Sequence, residues 1–411
     1  MDFKSRLETT LSTERLQLLR LVANAATQRG LPLYIVGGSV RDLVLGRPLH
    51  DLDLIVEGDA IGLARALASK HGGGVTAHTK FGTAKWFLPK RLTPDTLDLI
   101  SARSETYKQP AALPTIKPGS LADDLRRRDF TINALAVRLD GSHFGELRDD
   151  LGSMQDIEKR IVRVLHPRSF IDDPTRMYRA VRYARRYGFE IAEDTLTLIP
   201  EARPLVEKLS PQRIRHELDL ILNEPNAAAM LARLAALDLL APIHPLLADF
   251  DQSNLATLKS DDPALQNRNS RWVLWLMHLS EQEIESLNER LHFTASLLKI
   301  LRSASMLNAN LNALRGLKPS QVVVLLEGYS VKALEVVSSA VQDQEIKTIL
   351  NRYLSEWWHL RPKTSGHDLK KRGIPPGPKY AEILRRLRAA WLDGDVKTEE
   401  EEGALLEKLL R

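Results

Sequence analysis

The sequence predicts an α/β N-terminal head, a small mixed sheet plus helices, followed by an all-α neck, body and tail. Three observations predict it. Short apolar stretches bounded by Gly, Pro and Asp mark the first 165 residues, whereas from Phe170 apolar residues recur at helical spacing almost to the end. The strands do not alternate with helices in repeating βαβ units, which disfavours a Rossmann sheet. The stretch Tyr34 to Ile55, YIVGGSVRDLVLGRPLHDLDLI, joins a strand, a double-glycine turn, a short helix and a second strand.

Leu11 to Arg29 has helical spacing and stops at Gly30, a C′ glycine. After the opening strand, Val40 to Leu45 reads as a helix closed by Gly46 and Pro48, and Asp51 to Val56 as the second strand. Asp59 caps a helix to Lys70, and Gly74 to Ala77, Thr83 to Leu88 and Thr96 to Ile100 read as further strands. Ser101 to Ser120, rich in proline and polar residues, reads as a functional or mobile loop. Val162 to Leu165 reads as a closing strand. Pro174 suits a first helical position, making Asp173 the N-cap; Arg176, Arg179 and Arg182 then form a basic stripe, with Met177, Val181 and Ala184 toward the core. Ser210 and Pro211 open a helix to Leu222 in which Arg213 and Glu217 are spaced for an i,i+4 salt link. The resulting domains are a head at 1–145, a neck at 146–225 and a helical body and tail at 226–411.

At 411 residues the chain suggests about two to three domains. Its 43% hydrophobic and 27% charged residues describe an ordinary globular protein. The net charge of +5 modestly favours a polyanionic partner. With no cysteine, disulfide scaffolds and thiolate metal sites are excluded. Neither a signal-length apolar core nor a membrane-length run is present, so the cytoplasm is the expected location, with no membrane involved. No protein partner is implied.

Gly37 and Gly38 let the backbone turn tightly and approach a ligand that a Cβ would push away, and such a turn suits a phosphate. Asp51 and Asp53, two apart on a strand, project from one face. Side-by-side carboxylates repel unless a cation lies between them, and near a phosphate turn that cation is most simply Mg²⁺. Two uses fit Asp98 in LDLIS: a third acidic group near the metal, or a solvated strand position.

GGSVRD followed by DLD resembles the class II branch of the polymerase-β-like nucleotidyltransferases, the tRNA CCA-adding enzymes and bacterial poly(A) polymerases. RRDFTINA at Arg127 to Ala134 resembles the family's second motif, which implies that Arg128 contacts the nucleotide while Asp129 orients nearby groups. DDPTR at Asp172 to Arg176 resembles the motif in which protein side chains serve as template. Cytosine and adenine both present a ring-nitrogen acceptor beside an amino donor, which one carboxylate and one guanidinium on a helix can select against uracil and guanine. By this resemblance Asp173 and Arg176 read the base, and Arg179 and Arg182 contact the triphosphate or order the site. The loop at Ser101 to Ser120 corresponds to one linked to the switch from C to A addition. Ser365 to Pro378 resembles the C-terminal helical region of the bacterial enzymes. There Lys370, Lys371 and Arg372, with Arg385, Arg386 and Arg388, would contact RNA phosphates. Trp357, Trp358 and Trp391 are read as core packing.

The resemblance thus implies template-independent addition of C and/or A from CTP and ATP to the 3′ end of tRNA. Asp51 and Asp53 would bind Mg²⁺, and Gly37, Gly38 and Arg41 would hold phosphates. Asp172 departs from the family's usual Glu and resembles a branch that divides CC and A addition between two enzymes. The alternatives are therefore an enzyme adding only A or only CC, then a poly(A) polymerase, then a non-catalytic RNA-binding protein.

Overall fold

The computed structural model describes residues 2–49, 52–90, 92–248, 265 and 267–411. The chain divides into two compact units, Met1–Arg213 with Ala236–Ile243, and Ile214–Ala235 with His244–Arg411.

Unit 1 opens with α1 (Phe3–Thr10), capped by Asp2, and α2 (Thr13–Gln28), capped by Ser12. Helix α1 was not anticipated, because only Phe3 and Leu7 are buried along it and leave a weak period. The sheet has seven strands in the order β3-β4-β5-β2-β1-β8-β9. Its members are β1 (Leu33–Val36), β2 (Leu54–Val56), β3 (Gly74–His78), β4 (Thr83–Phe87), β5 (Thr96–Ser101), β8 (Ala136–Arg138) and β9 (Glu146–Arg148). The β2–β5 pair is parallel and the others are antiparallel, the mixed sheet the sequence implies. One face packs Tyr34, Val36, Ile55 and Ala136 on Leu121 and Leu125 of α5 (Leu121–Arg126). Helix α4 (Ala60–His71), capped by Asp59 as expected, buries Leu63, Ala64 and Leu67 and packs on β4 and β5.

The stretch from Ser101 to Ser120 is not a structureless loop. It forms a hairpin of β6 (Arg103–Thr106) and β7 (Thr115–Pro118), paired in register from Arg103↔Pro118 to Thr106↔Thr115. Pro114 and Pro118 sit just before and at the end of β7, where a missing N–H costs little. The expected strand at Val162 to Leu165 appears as β10 (Ile161–Val162), parallel to β11 (Glu190–Ile191), with Val164 bridging Phe130. Helix α6 (Ser153–Glu158) precedes β10, and between β10 and β11 lie α7 (Ser169–Asp172) and α8 (Thr175–Tyr187), the last stopped by Gly188 in the left-handed region.

Unit 2 is helical. Trp272 and Trp275 stack in its core, with ring centroids 5.4 Å apart, and Phe293 meets Trp272 edge-on. At its C-terminal end, helices Gly366–Lys371, Pro378–Asp393 and Glu399–Leu410 close over Leu369, Ile383, Leu387 and Leu406. Asp368 completes a capping box with Ser365. Trp357 is buried, and Trp391 donates to Glu402, so both serve packing as read. Among the described residues no helix is long and apolar enough to cross a membrane.

Candidate active site

Strand β1 delivers the chain into the Gly37-Gly38 turn and then α3 (Gly38–Val44). Gly37 has φ +68°, and a Cβ there would come within 2.2 Å of Arg128 Nη1. The first glycine therefore makes room for the Arg128 guanidinium as well as for the turn. Val36 N–H donates to the Asp53 carbonyl at 3.1 Å, and Asp53 N–H to Ser39 Oγ at 3.4 Å, tying the carboxylate strand to the turn. Asp51 lies outside the described residues.

Leu54 pairs with Leu99 in the parallel β2–β5 register, which sets Asp53 beside Asp98 one step earlier. Leu97 and Leu99 are buried on either side of Asp98, so its carboxylate shares the accessible face with Asp53. Asp98 itself is exposed and pairs with Lys85 at 3.0 Å. The two aspartates line a cavity of about 500 Å³ with Arg15, Lys85 and Asp95.

Asp53 also lines a second cavity of about 380 Å³, which brings together Gly38, Arg41, Arg128, Asp129, Asp173, Arg176 and Arg179. Arg127, Arg186, Glu105 and Tyr107 join them there. Arg182 is not part of this lining: it is buried, with its guanidinium carbon 4.9 Å from the Tyr183 ring centroid. Nor do Arg176 and Arg182 form an exposed stripe, being 5% and 6% exposed on the inward side of α8.

The helix starts one residue later than the sequence suggests, with Pro174 as the N-cap instead of the first helical residue and Asp173 ending α7. Asp173 Oδ1 accepts from Thr175 N–H at 2.9 Å and from its hydroxyl at 2.6 Å, with regular helix beginning at Thr175. The same Oδ1 accepts from Arg213 Nη2 at 2.6 Å, so among the described residues each hydrogen bond to the Asp173 carboxylate reaches Oδ1. Arg176 is fixed by Nη1 donating to Ser169 Oγ at 2.7 Å and Nη2 to the Arg127 carbonyl at 2.9 Å. A guanidinium has five N–H donors, more than these two bonds use.

Buried Asp124 organises the three-arginine run. It accepts from Arg127 Nη2 at 2.6 Å and Arg128 Nη2 at 3.0 Å. Its spacing of three and four residues from these arginines was a legible signal that the reading passed over. Glu105 in the hairpin adds bonds to Arg103 and Arg127 at 3.1 Å each. Burial pushes the Tyr107 hydroxyl up to about 12, so it stays protonated and donates to Glu105 Oε2 at 3.3 Å. Asp129 accepts from Asn133 Nδ2 at 2.9 Å and pairs with Arg179 at 2.6 Å. Burial alone would raise its carboxyl, but Arg179, Asn133 and Arg176 together hold it below the usual carboxylate range.

Arg213, expected to pair along its own helix, turns to Asp173 and, through Nη1, to the Ala111 carbonyl at 2.8 Å. In unit 2, Lys370, Lys371, Arg372, Arg385 and Arg386 are exposed as expected. Arg372 pairs with Glu407, and Arg385 and Arg386 with Glu382.

A family model described as "Poly A polymerase head domain" matches residues 33–163, and one described as "Probable RNA and SrmB- binding site of polymerase A" matches 188–251. The chain is 34% identical over 406 residues to an A-adding tRNA nucleotidyltransferase of Geobacter sulfurreducens, covering 94% of this chain and 46% of that one. It thus spans about half the length of that relative. It is 30% identical to an A-adding tRNA nucleotidyltransferase of Halalkalibacterium halodurans, covering 95% of this chain and 92% of that one. A solved apo structure of a CCA-adding enzyme superposes with a TM-score of 0.85 at 30% identity, covering 100% of this chain and 98% of that one. On these matches the chain belongs to the family of tRNA nucleotidyltransferases that includes A-adding, CC-adding and CCA-adding enzymes.

Proposed function

We propose that the chain is an A-adding tRNA nucleotidyltransferase, which transfers the adenylyl group of ATP to a tRNA already ending in CC. The observation that carries this reading is one cavity in which Asp173 and Arg176 stand with Asp53 and a further set of arginines. The adenine amino group donates to Asp173 Oδ2, and its ring nitrogen N1 accepts from Arg176. Guanine or uracil would present a carbonyl to the carboxylate and a ring N–H to the guanidinium, leaving both charges mispaired. Restriction to A is supported by Asp172 and by the A-adding relatives that align over 94% and 95% of this chain, while a CCA-adding relative aligns over 91% of it at 29% identity. Complete CCA addition is the second reading, because cytosine shares the recognised edge and a CCA-adding enzyme shares the fold.

Because Asp53 borders both cavities, ATP takes the arginine-lined one and the acceptor end the one with Arg15 and Lys85. The acceptor 3′ oxygen forms its bond to the α-phosphorus as the bond from that phosphorus to the β-bridging oxygen breaks. Pyrophosphate leaves with the electron pair, and the hydroxyl proton departs toward the Asp53 and Asp98 carboxylates. Arg41, Arg128 and Arg179 hold the triphosphate. Asp53 and Asp98 are hard oxygen donors on one sheet face, a set that fits magnesium, although among the described residues no cluster of three such ligands forms. With Asp51 they would hold Mg²⁺, which when bound neutralises phosphate charge and makes the 3′ hydroxyl more acidic.

The head at 1–145 supplies the chemistry, the neck at 146–225 the base reading, and the body and tail at 226–411 the RNA contacts. In the tail, Lys370, Lys371, Arg372, Arg385 and Arg386 meet RNA phosphates. The test is single-turnover extension of three tRNA transcripts, ending before the tail, after one C and after both, each offered CTP, ATP or both. One A on the last transcript alone is the expected result; a whole CCA tail on the first would establish the second reading.

A further inference from the structure

Helix α8 carries the base-reading Arg176 near its start and Tyr187 as its last residue, about 17 Å apart along the axis. Tyr187 is 9% exposed, and its ring has two arginines over it. The Arg41 guanidinium carbon lies 4.2 Å from the ring centroid and that of Arg47 lies 4.6 Å away. Both are within cation–π range. Arg41 lines the nucleotide cavity and is 4% exposed, whereas Arg47 is exposed and begins the connection to the catalytic carboxylates. Past Arg47 that connection is held at Leu49, whose carbonyl accepts from Arg15 Nη1 at 2.6 Å.

Packing accounts for burying an aromatic ring, but not for two like charges gathered on it. Two guanidinium groups on one ring repel each other; Asp42, paired with Arg41 at 3.0 Å, offsets part of that repulsion, and a phosphate beside Arg41 would offset more. Arg41 is also held by Asn133, and its guanidinium carbon lies 5.5 Å from the ring centroid of Tyr183, so α8 meets Arg41 through both Tyr183 and, at the closer 4.2 Å, Tyr187.

We propose that Tyr187 is a positioning residue for nucleotidyl transfer, holding Arg41 on the triphosphate and Arg47 at the root of the carboxylate segment. Helix α8 then acts as a ruler: one end reads the base and the other fixes phosphate and metal-binding groups at a set distance. The inference rests on the proposed triphosphate site but not on which nucleotide is added.

The test compares Tyr187→Leu, Tyr187→Phe and Arg47→Met. Steady-state extension of CC-ended tRNA is measured with ATP, and calorimetry measures binding of inorganic tripolyphosphate, which needs no reaction. Tyr187→Leu is expected to raise KM for ATP and Kd for tripolyphosphate about tenfold, leaving KM for tRNA and the ATP-over-GTP preference unchanged. Tyr187→Phe restores the ring and both constants. Arg47→Met, an exposed change that leaves the core intact, lowers kcat with KM for ATP unchanged. If Tyr187→Leu lowers only the unfolding temperature, or if Tyr187→Phe is equally impaired, the proposal is overturned. Should Tyr187→Leu fail to fold, an unaltered kcat in Arg47→Met overturns it. If the unsubstituted protein binds tripolyphosphate but extends no tRNA, the functional reading fails, while the tripolyphosphate comparison still decides the role of Tyr187.

Discussion

Arg213 donates from Nη2 to Oδ1 of Asp173 at 2.6 Å across forty positions of sequence. Its Nη1 meanwhile donates to the carbonyl of Ala111 at the hairpin tip. One guanidinium thus ties the Asp173 carboxylate and the hairpin together through a single carboxylate oxygen. Arg213→Met removes a charge-assisted bond worth about 1.5–3 kcal/mol, so kcat/KM for ATP should fall roughly 10- to 100-fold. Arg213→Lys keeps the charge but loses the two-pronged geometry and should recover only part of the rate. Single-turnover kinetics with ATP and GTP checks both.

Gly37→Ala meets two obstacles, a φ of +68° and the Arg128 guanidinium where its Cβ would lie. The variant should lose about 1–2 kcal/mol of stability. Because Arg128 must move, its KM for ATP should rise at least about tenfold. Denaturant unfolding and steady-state kinetics separate the two effects.

Asp53 borders both cavities, whereas Asp98 borders one and is balanced by Lys85. Asp53→Asn should lower kcat by about 10³-fold or more with the fold intact. Asp98→Asn should act mainly by raising the Mg²⁺ concentration needed for half-maximal rate. Chelation by EDTA should silence the native enzyme, and added Mg²⁺ should restore it.

Much of the head was legible, since β1, the GGSVRD turn and strands β3 to β5 depend on apolar runs between glycines and prolines. Partners far apart in sequence were not. Arg213 has Glu217 at helical spacing, but its carboxylate partner arrives from the turn before α8. Arg176 and Arg182 read as surface charge because spacing places them on the polar side of the helix. They are buried because that side packs against polar groups such as Ser169 and the Arg127 carbonyl. The hairpin was hidden by Pro110, Pro114 and Pro118, which suggest a loop until pairing shows that two of them border a strand.

Glu402, 2% exposed in the C-terminal helices, accepts from Lys363 N–H at 2.9 Å and Thr364 N–H at 2.6 Å as well as from Trp391. Burial would raise its carboxyl, but these bonds outweigh it and hold it below the ordinary 4.5. A depressed folded value means the stabilisation is present above the unfolded value near 4.5 and fades as pH falls through the folded one. Glu402→Gln should therefore cost roughly 1–3 kcal/mol at pH 7, with the gap narrowing below that value. Thermal unfolding across pH measures it.

In the proposed reaction Asp173 and Arg176 choose the base in place of a nucleic-acid template. This choice is tested most directly by single-turnover incorporation of ATP against GTP on CC-ended tRNA, by the native chain and by Asp173→Asn. The amide presents a donor where the carboxylate accepted, so preference for ATP should collapse by about 10²-fold or more while Mg²⁺ dependence stays the same. Native-like selectivity in Asp173→Asn would contradict the account and place base selection elsewhere in the cavity.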